Sequence, residues 1–300
     1  KMGARSTNPT QSFFDDFSRS GTEASGPNVA APVSVTGTVT PYTPGDGYQY
    51  YVFTNTGTFT VSNTSLSNAD ILVVGGGGAG GQNNGGGGGG GGAVVFSPNT
   101  TIPVSSYNIT VGTGGTGLSK AFSPFPLPGS PTDSNEWRGY PGTPSSFGPL
   151  STAPGGSAAG KGSQPNGGGG SGGAGGSPGG ASGGPGPQPF RNGPGTPGNN
   201  GTQVPTFAGI GNISPPGHFG GGGGGGTWDG PNGPFPGGSG GGGPSGQGGT
   251  GTGDNSGTPG TTNTGGGGGG ILNPTGADNP TPETFGGSGG PGVVMIRYPI

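Results

Sequence analysis

Short stretches rich in β-branched and aromatic residues alternate along this chain with long stretches that contain almost none. Residues 50–54 and 58–61 flank the segment Asn-Thr-Gly at 55–57, and this pattern predicts a β-hairpin. Further apolar or alternating runs predict strands over residues 70–74, 93–96, 107–111 and 293–300. We therefore expect a mostly β and irregular fold with essentially no α-helix.

Glycine tracts of similar length lie between the predicted strands. They cover residues 75–81, 85–92, 167–176, 220–226, 237–243, 265–270 and 286–292, with single Ala, Ser or Pro interruptions. A repeated tract length is not expected in a flexible linker. A collagen triple helix does not fit either, because glycine does not occur at every third position. A packed bundle of rods is the remaining arrangement to consider.

Glycine itself forms a polyproline-II-type helix with three residues per turn and no internal hydrogen bonds. Its amides and carbonyls must then be satisfied by neighbouring chains, which approach closely because glycine has no Cβ. We expect the tracts to pack as such rods, framed by the short strands and joined by long proline-rich loops. Alanine, serine or proline within a tract is expected only on faces directed away from a neighbouring rod.

Composition argues against an ordinary enzyme. Glycine and proline supply 87 and 35 of the 300 residues, and only 23% of the chain is hydrophobic. A conventional core would be undersized for this length. The charged fraction is only 6% with a net charge of −3, whereas disordered chains usually carry many like charges.

The types of residue present argue against several further classes of function. The eight Lys and Arg residues are scattered singly, so we expect no nucleic-acid partner. The absence of cysteine and the single histidine, His218, argue against disulfides, thiolate chemistry and multi-histidine metal sites. The apolar runs are too short to cross a bilayer, so no membrane insertion is expected.

Two strings approximate nucleotide-binding signatures but lack their context. Residues 71–81 contain G-x-G-x-x-G after a predicted strand, yet no helix pattern follows. Residues 155–162 approximate a P-loop, but Gly162 stands where a magnesium-binding Ser or Thr is needed. We expect a protein without enzymatic activity, cofactor or metal.

The chain divides by composition, and residues 36–300 are expected to form one folded unit. The first segment contains Phe13, Phe14 and Phe17 at a spacing that fits one face of a short helix, which suggests a docking element for a partner. The predicted segments are an attachment arm at 1–35, a β-rich segment with the first two tracts at 36–115, a glycine-rod sandwich with variable loops at 116–292, and a closing strand at 293–300.

Aromatic residues outside the predicted strands are candidate binding residues. Exposed aromatics on loops of a rigid scaffold commonly anchor protein or sugar surfaces. The alternative is that they cap the rods and bury one another. The candidate receptor-binding residues are Trp228, Phe235, Trp137, Arg138, Tyr140, Phe190, His218 and Phe219.

Five segments together resemble the glycine-rich domain of bacteriophage tail and tail-fibre proteins. They are residues 58–61, 69–81, 107–115, 145–148 and 286–296. The resemblance runs from about residue 48 to residue 298 and is similar in style to tail-fibre-tip adhesins of T-even-like phages. It implies a polyglycine-II sandwich whose loops touch the host receptor.

The resemblance implies an extracellular virion protein of a tail fibre tip or baseplate. Its expected partners are other tail or fibre proteins, bound through the arm, and a bacterial surface receptor, either protein or glycan. Homo-oligomerisation stays open. The alternatives are a structural fibre or decoration protein that binds no receptor, an extracellular glycine-rich matrix or filament protein, and a disordered linker.

Overall fold

The computed structural model is nearly all β. It describes residues 33–81, 86–117, 139–160, 173–186, 195–210, 217–227, 234–246, 256–271 and 285–300. These residues contain ten strands, one 3-10 turn at Pro205–Phe207 and no α-helix, which confirms the predicted fold class. The strands are β1 Val33–Tyr42, β2 Tyr48–Val61, β3 Leu66–Val74, β4 Val94–Ile102, β5 Ser105–Thr110, β6 Ser145–Phe147, β7 Ser151–Ala153, β8 Thr202–Gln203, β9 His218–Phe219 and β10 Val293–Pro299. Phe13, Phe14 and Phe17 of the predicted arm lie outside the described residues.

Eight strands form one antiparallel sheet that nearly closes on itself. Its order is β4-β3-β10-β2-β5-β6-β7, and β1 pairs with the opposite side of β2. The two end strands of this path approach each other, and the amide of Ala93, just before β4, donates to the carbonyl of Pro154, just after β7, at 2.9 Å. The predicted closing strand, β10, lies within the sheet between β2 and β3.

The predicted hairpin over residues 50–61 is wrong, because β2 runs through this segment without turning. β1 pairs with β2 on both sides of residues 54–56, and a β-bulge between Gly37 and Val39 absorbs the irregularity. Gly57 lies opposite Gly37, and a Cβ built on Gly57 would overlap the carbonyl oxygen of Thr36. Glycine is therefore needed here for the close approach of two strands, not for a reversal.

Alternate side chains of the sheet enter two apolar clusters. The inner cluster lies inside the curled sheet and includes Phe53, Phe59, Ile71, Phe147 and Ile296. The outer cluster covers the other face of β2, β3 and β10, and the segment around the 3-10 turn packs over it. Its members include Leu72, Val74, Met295, Val204, Phe207, Ile210 and Phe219. Residues 71–74 are continuously apolar because both faces of β3 are buried.

Every backbone amide of the tract 75–81 donates a hydrogen bond to a neighbouring segment of the chain. Successive amides along residues 75–81 donate in turn to three different neighbouring segments. Every third amide therefore donates to the same segment. The donor–acceptor pairs are Gly75–Ala93, Gly78–Gly90 and Gly81–Gly87; Gly76–Thr143 and Ala79–Tyr140; Gly77–Gly290 and Gly80–Gly287. Acceptor numbers fall by three as donor numbers rise by three, so these neighbours run antiparallel. We interpret the tracts on this basis as three-residue-per-turn rods; their packing as such rods stays a prediction.

Burial separates central tracts from peripheral ones. Residues 75–81, 86–93, 220–227 and 265–271 are buried throughout. In the peripheral tract 285–292, by contrast, every third residue is partly exposed, and these residues are Phe285, Ser288 and Pro291. Side chains are therefore tolerated at one position in three of this tract.

Ala79 contradicts the expectation that alanine faces away from neighbouring tracts. It lies in a central tract and is fully buried. Its methyl group points towards Gly139, where an added Cβ would lie 2.5 Å from that of Ala79. One Cβ fits between these two segments and a second does not, so the absence of a side chain at Gly139 accommodates the one at Ala79.

Candidate functional site

The tract array has two distinct ends. At one end, here called the sheet end, tracts continue directly into strands: Val74 of β3 is followed by the tract 75–81, and the tract 86–93 leads into Val94 of β4. The amide of Val94 donates to the carbonyl of Pro178 at 2.8 Å, which places the connection at 177–180 at the same end.

The opposite end of the tract array is here called the loop end. Residues flanking seven undescribed segments meet there: 81 and 86, 117 and 139, 160 and 173, 186 and 195, 227 and 234, 246 and 256, and 271 and 285. An eighth undescribed segment, 211–216, follows the covering turn at the sheet end.

Backbone hydrogen bonds hold the loop end together. The amide of Gly81 donates to Gly87 at 2.7 Å, and that of Ile271 donates to Gly81 at 3.4 Å. The amide of Gly226 donates to Gly86 at 2.9 Å, and that of Gly246 donates to Gly270 at 3.0 Å. The flanking residues are therefore fixed to one another before the intervening segments begin.

Two of the candidate receptor-binding residues lie at the loop end. The Tyr140 side chain is 59% exposed, while its backbone donates to Thr116 and accepts from Ala79, each at 3.1 Å. Phe235 is partly buried, and its amide donates to the Ser245 hydroxyl at 2.9 Å. Both aromatic residues are thus presented from an ordered backbone.

Four other candidates, Trp228, Trp137, Arg138 and Phe190, lie outside the described residues. Two of them are adjacent in sequence to residues with a defined place. Trp228 follows Thr227, the buried last residue of a central tract, and Arg138 precedes Gly139, which packs against Ala79. Their attachment points to the array therefore belong to the loop end.

His218 and Phe219 lie at the other end of the molecule. They form β9, which pairs with Thr202 and Gln203 of β8. Phe219 is fully buried in the outer apolar cluster, so its side chain offers no contact to a partner in this structure. His218 is partly buried, and its Nδ1 has no hydrogen-bond partner among the described residues. The four candidates that the structure describes therefore do not lie together: Tyr140 and Phe235 are at the loop end, and His218 and Phe219 are at the sheet end.

A charged network that the sequence analysis missed lies at the sheet end. Asp46, Asp70 and Arg297 are all the Asp, Glu, Lys and Arg residues in the described part of the chain. Arg297 Nε donates to Asp70 Oδ2 at 2.7 Å and Arg297 Nη1 to the Tyr50 hydroxyl at 3.1 Å. That hydroxyl donates to Asp46 Oδ2 at 2.7 Å, and the guanidinium carbon lies 4.2 Å from the ring centroid of Tyr48.

These contacts explain the pKa directions of the network. The hydrogen bond from Tyr50 lowers the pKa of Asp46, and burial raises the pKa of Tyr50. Burial opposes the charge of Arg297, but hydrogen bonds to Tyr50 and Asp70 outweigh it and raise the pKa of the guanidinium.

The network joins β2, β3 and β10, because its groups satisfy one another's hydrogen bonds across these strands. The sequence signal was a single charged residue in each of two otherwise uncharged strands, β3 and β10.

The described ranges contain neither a membrane-spanning helix nor a cluster of metal-ligating residues. No helix there is both long enough and apolar enough to cross a membrane. No group of three or more His, Cys, Asp or Glu residues in these ranges is arranged to hold a metal ion.

The similarity of this chain to a known protein family covers most of its length. No curated protein matches the chain. The family model of the glycine-rich domain matches residues 54–299, which include β3 to β10 and all the tracts described above. The chain therefore belongs to the glycine-rich domain family.

Proposed function

We propose that this protein is a non-enzymatic virion component of a bacteriophage tail fibre or baseplate that binds a bacterial surface receptor through its loop end. The observation that carries the proposal is the convergence of seven pairs of flanking residues at one end of the array. The resemblance to phage tail proteins supplies the biological setting, and family membership is consistent with it.

The physical basis of binding is preorganisation. A segment whose two ends are fixed loses less conformational entropy on contact than a free chain of the same length. Its sequence can also vary without disturbing the backbone beneath it. Tyr140 gives this surface one exposed aromatic residue in the described part of the chain, a residue type that commonly anchors protein and sugar ligands.

The test is binding of the 300-residue chain, fluorescently labelled, to intact cells of a panel of candidate host bacteria. Trp228→Ala and Tyr140→Ala are expected to weaken saturable binding roughly tenfold or more, as loss of an aromatic anchor does. Tyr42→Ala is the matched control because Tyr42, at the sheet end, is also an exposed tyrosine, at 45%. We expect this control to bind like the unaltered protein.

Two outcomes would contradict the proposal. If the well-folded protein binds none of the bacteria that the parent virus infects, a structural virion role without receptor binding is favoured. If Tyr42→Ala reduces binding as much as Tyr140→Ala does, the loop end is not the contact surface. Calorimetric unfolding of each variant separates either outcome from simple misfolding.

A further inference from the structure

The longest free strand edge in the described structure belongs to β1. β1 runs for ten residues and pairs only with β2, whereas the end strands β4 and β7 approach each other as the sheet curls. The β4 edge is also irregular, because its pairing with β3 shifts register twice and it contains Pro98. Neither strand therefore offers an edge like that of β1.

The edge of β1 is chemically suited to pairing. Residues 33–40 carry no charge and no proline, and Val33–Gly37 pairs residue by residue with β2 up to the bulge. Natural edge strands are usually protected by charged residues, proline or bulges, and here such protection begins only after Gly37, at the bulge. A regular segment of five residues, 33–37, is left unprotected.

The side chains of this segment fit a second copy of the same chain. Val35 and Val39 pack against the inner cluster but remain partly exposed at its margin. An antiparallel pairing of β1 with β1 of another copy is isologous, so it would cover the valines of both copies at once. Because the segment is uncharged, the two-fold axis brings no like charges together.

We propose that the edge of β1 is a homodimer interface in which β1 strands of two copies pair antiparallel and join their sheets. Main-chain hydrogen bonds supply the attraction, and Val35 lies near the two-fold axis. The interface is at the sheet end and leaves the loop end of both copies free. It is independent of receptor binding, so each proposal can fail without the other.

Sedimentation velocity of the full chain over a concentration series tests this interface. The unaltered chain is expected to reach twice its 28.0 kDa mass.

With Val35 near the axis, the two copies of position 36 are diagonal neighbours about 7–8 Å apart. Thr36→Lys is therefore expected to weaken dimerisation roughly tenfold or more through like-charge repulsion. Thr36→Glu should do the same, and an equimolar mixture of the two variants should restore the dimer.

Asn108→Lys is the matched control. Thr36, Thr58 and Asn108 form one row across β1, β2 and β5, and Asn108 is exposed two strands away from the edge. This control should dimerise like the unaltered chain. A monomer at every concentration, or a dimer that both Thr36 variants leave intact, would overturn the proposal. If one Thr36 variant fails to fold, the other still decides the question.

Discussion

Replacing Gly223 by leucine is expected to destabilise the whole fold by at least about 3 kcal/mol, at the upper end of overpacking effects. Gly223 lies in a central tract, where its amide donates to Gly89 and its carbonyl accepts from Gly184, each at 2.8 Å. A Cβ at this position would overlap the carbonyl oxygen of Gly268. The tracts must separate to admit the side chain, which breaks hydrogen bonds whose buried groups then lack partners. Differential scanning calorimetry measures the loss.

Thr116→Leu is the matched control for this substitution. Thr116 lies in the segment that follows β5 and is exposed, so leucine can point into solvent there. Its effect is expected to stay within about 0.5 kcal/mol, as is usual at the surface. If Gly223→Leu leaves the thermal transition where it was, the tracts are not packed as described.

Replacing Phe59 by alanine is expected to cost about 3–5 kcal/mol, as for other large-to-small changes in cores. Phe59 is fully buried in the inner cluster, and its ring centroid lies 5.5 Å from that of Tyr51 and 5.7 Å from that of Phe147. No neighbouring backbone is free to fill the resulting cavity, because strands β1 and β5 flank β2 at this position. Calorimetry should show one transition at lower temperature, since the sheet fixes the ends of the tracts.

Leu150→Ala serves as the comparison because Leu150, in the turn between β6 and β7, is 39% exposed. It is expected to lower stability by no more than about 1 kcal/mol. Two separate transitions in Phe59→Ala, one for the sheet and one for the tracts, would contradict a single cooperative unit.

Strands with strong local signals were predictable from sequence. β3, β4, β5 and β10 each contain a run of β-branched or aromatic residues, and all four predicted segments overlap them. β1 was missed because its Val, Ser and Thr residues are interrupted by Gly37, and its pairing with β2 is set by tertiary contact. β6 to β9 have only two or three residues each, too few for any periodicity to register.

The wrong hairpin prediction and the unexpected burial of Phe219 both arise because a local sequence pattern does not show which segments pack against each other. Asn-Thr-Gly at 55–57 is a turn signal, but the same glycine also serves a close strand contact, and the sequence does not distinguish the two. Phe219, the last residue of β9 before a glycine tract, carries no local sign that the segment around Phe207 packs beside it. The ion pair of Asp70 with Arg297 joins residues 227 positions apart, which no local pattern reveals.

The arrangement of the loop end could not be predicted from the sequence. Tract lengths indicated repeated traverses of one body, yet they did not indicate that seven connections share one end. That follows only from which tract bonds to which, for example Gly88 to Gly184 and Gly246 to Gly270. His218 was grouped with Tyr140 by composition, and the structure places the two residues at opposite ends.

Native-state hydrogen exchange of the full chain, resolved by residue, tests most directly that the glycine tracts form a hydrogen-bonded array continuous with the sheet. The amides of Gly78, Gly89, Gly223 and Gly268 each donate to another tract at 2.7–3.0 Å. We expect them to be protected to the same free energy as amides of β3 and β10, because both should open only on global unfolding. Rapid exchange of these four amides alongside a protected sheet would contradict the packed array and, with it, the fixed loop end.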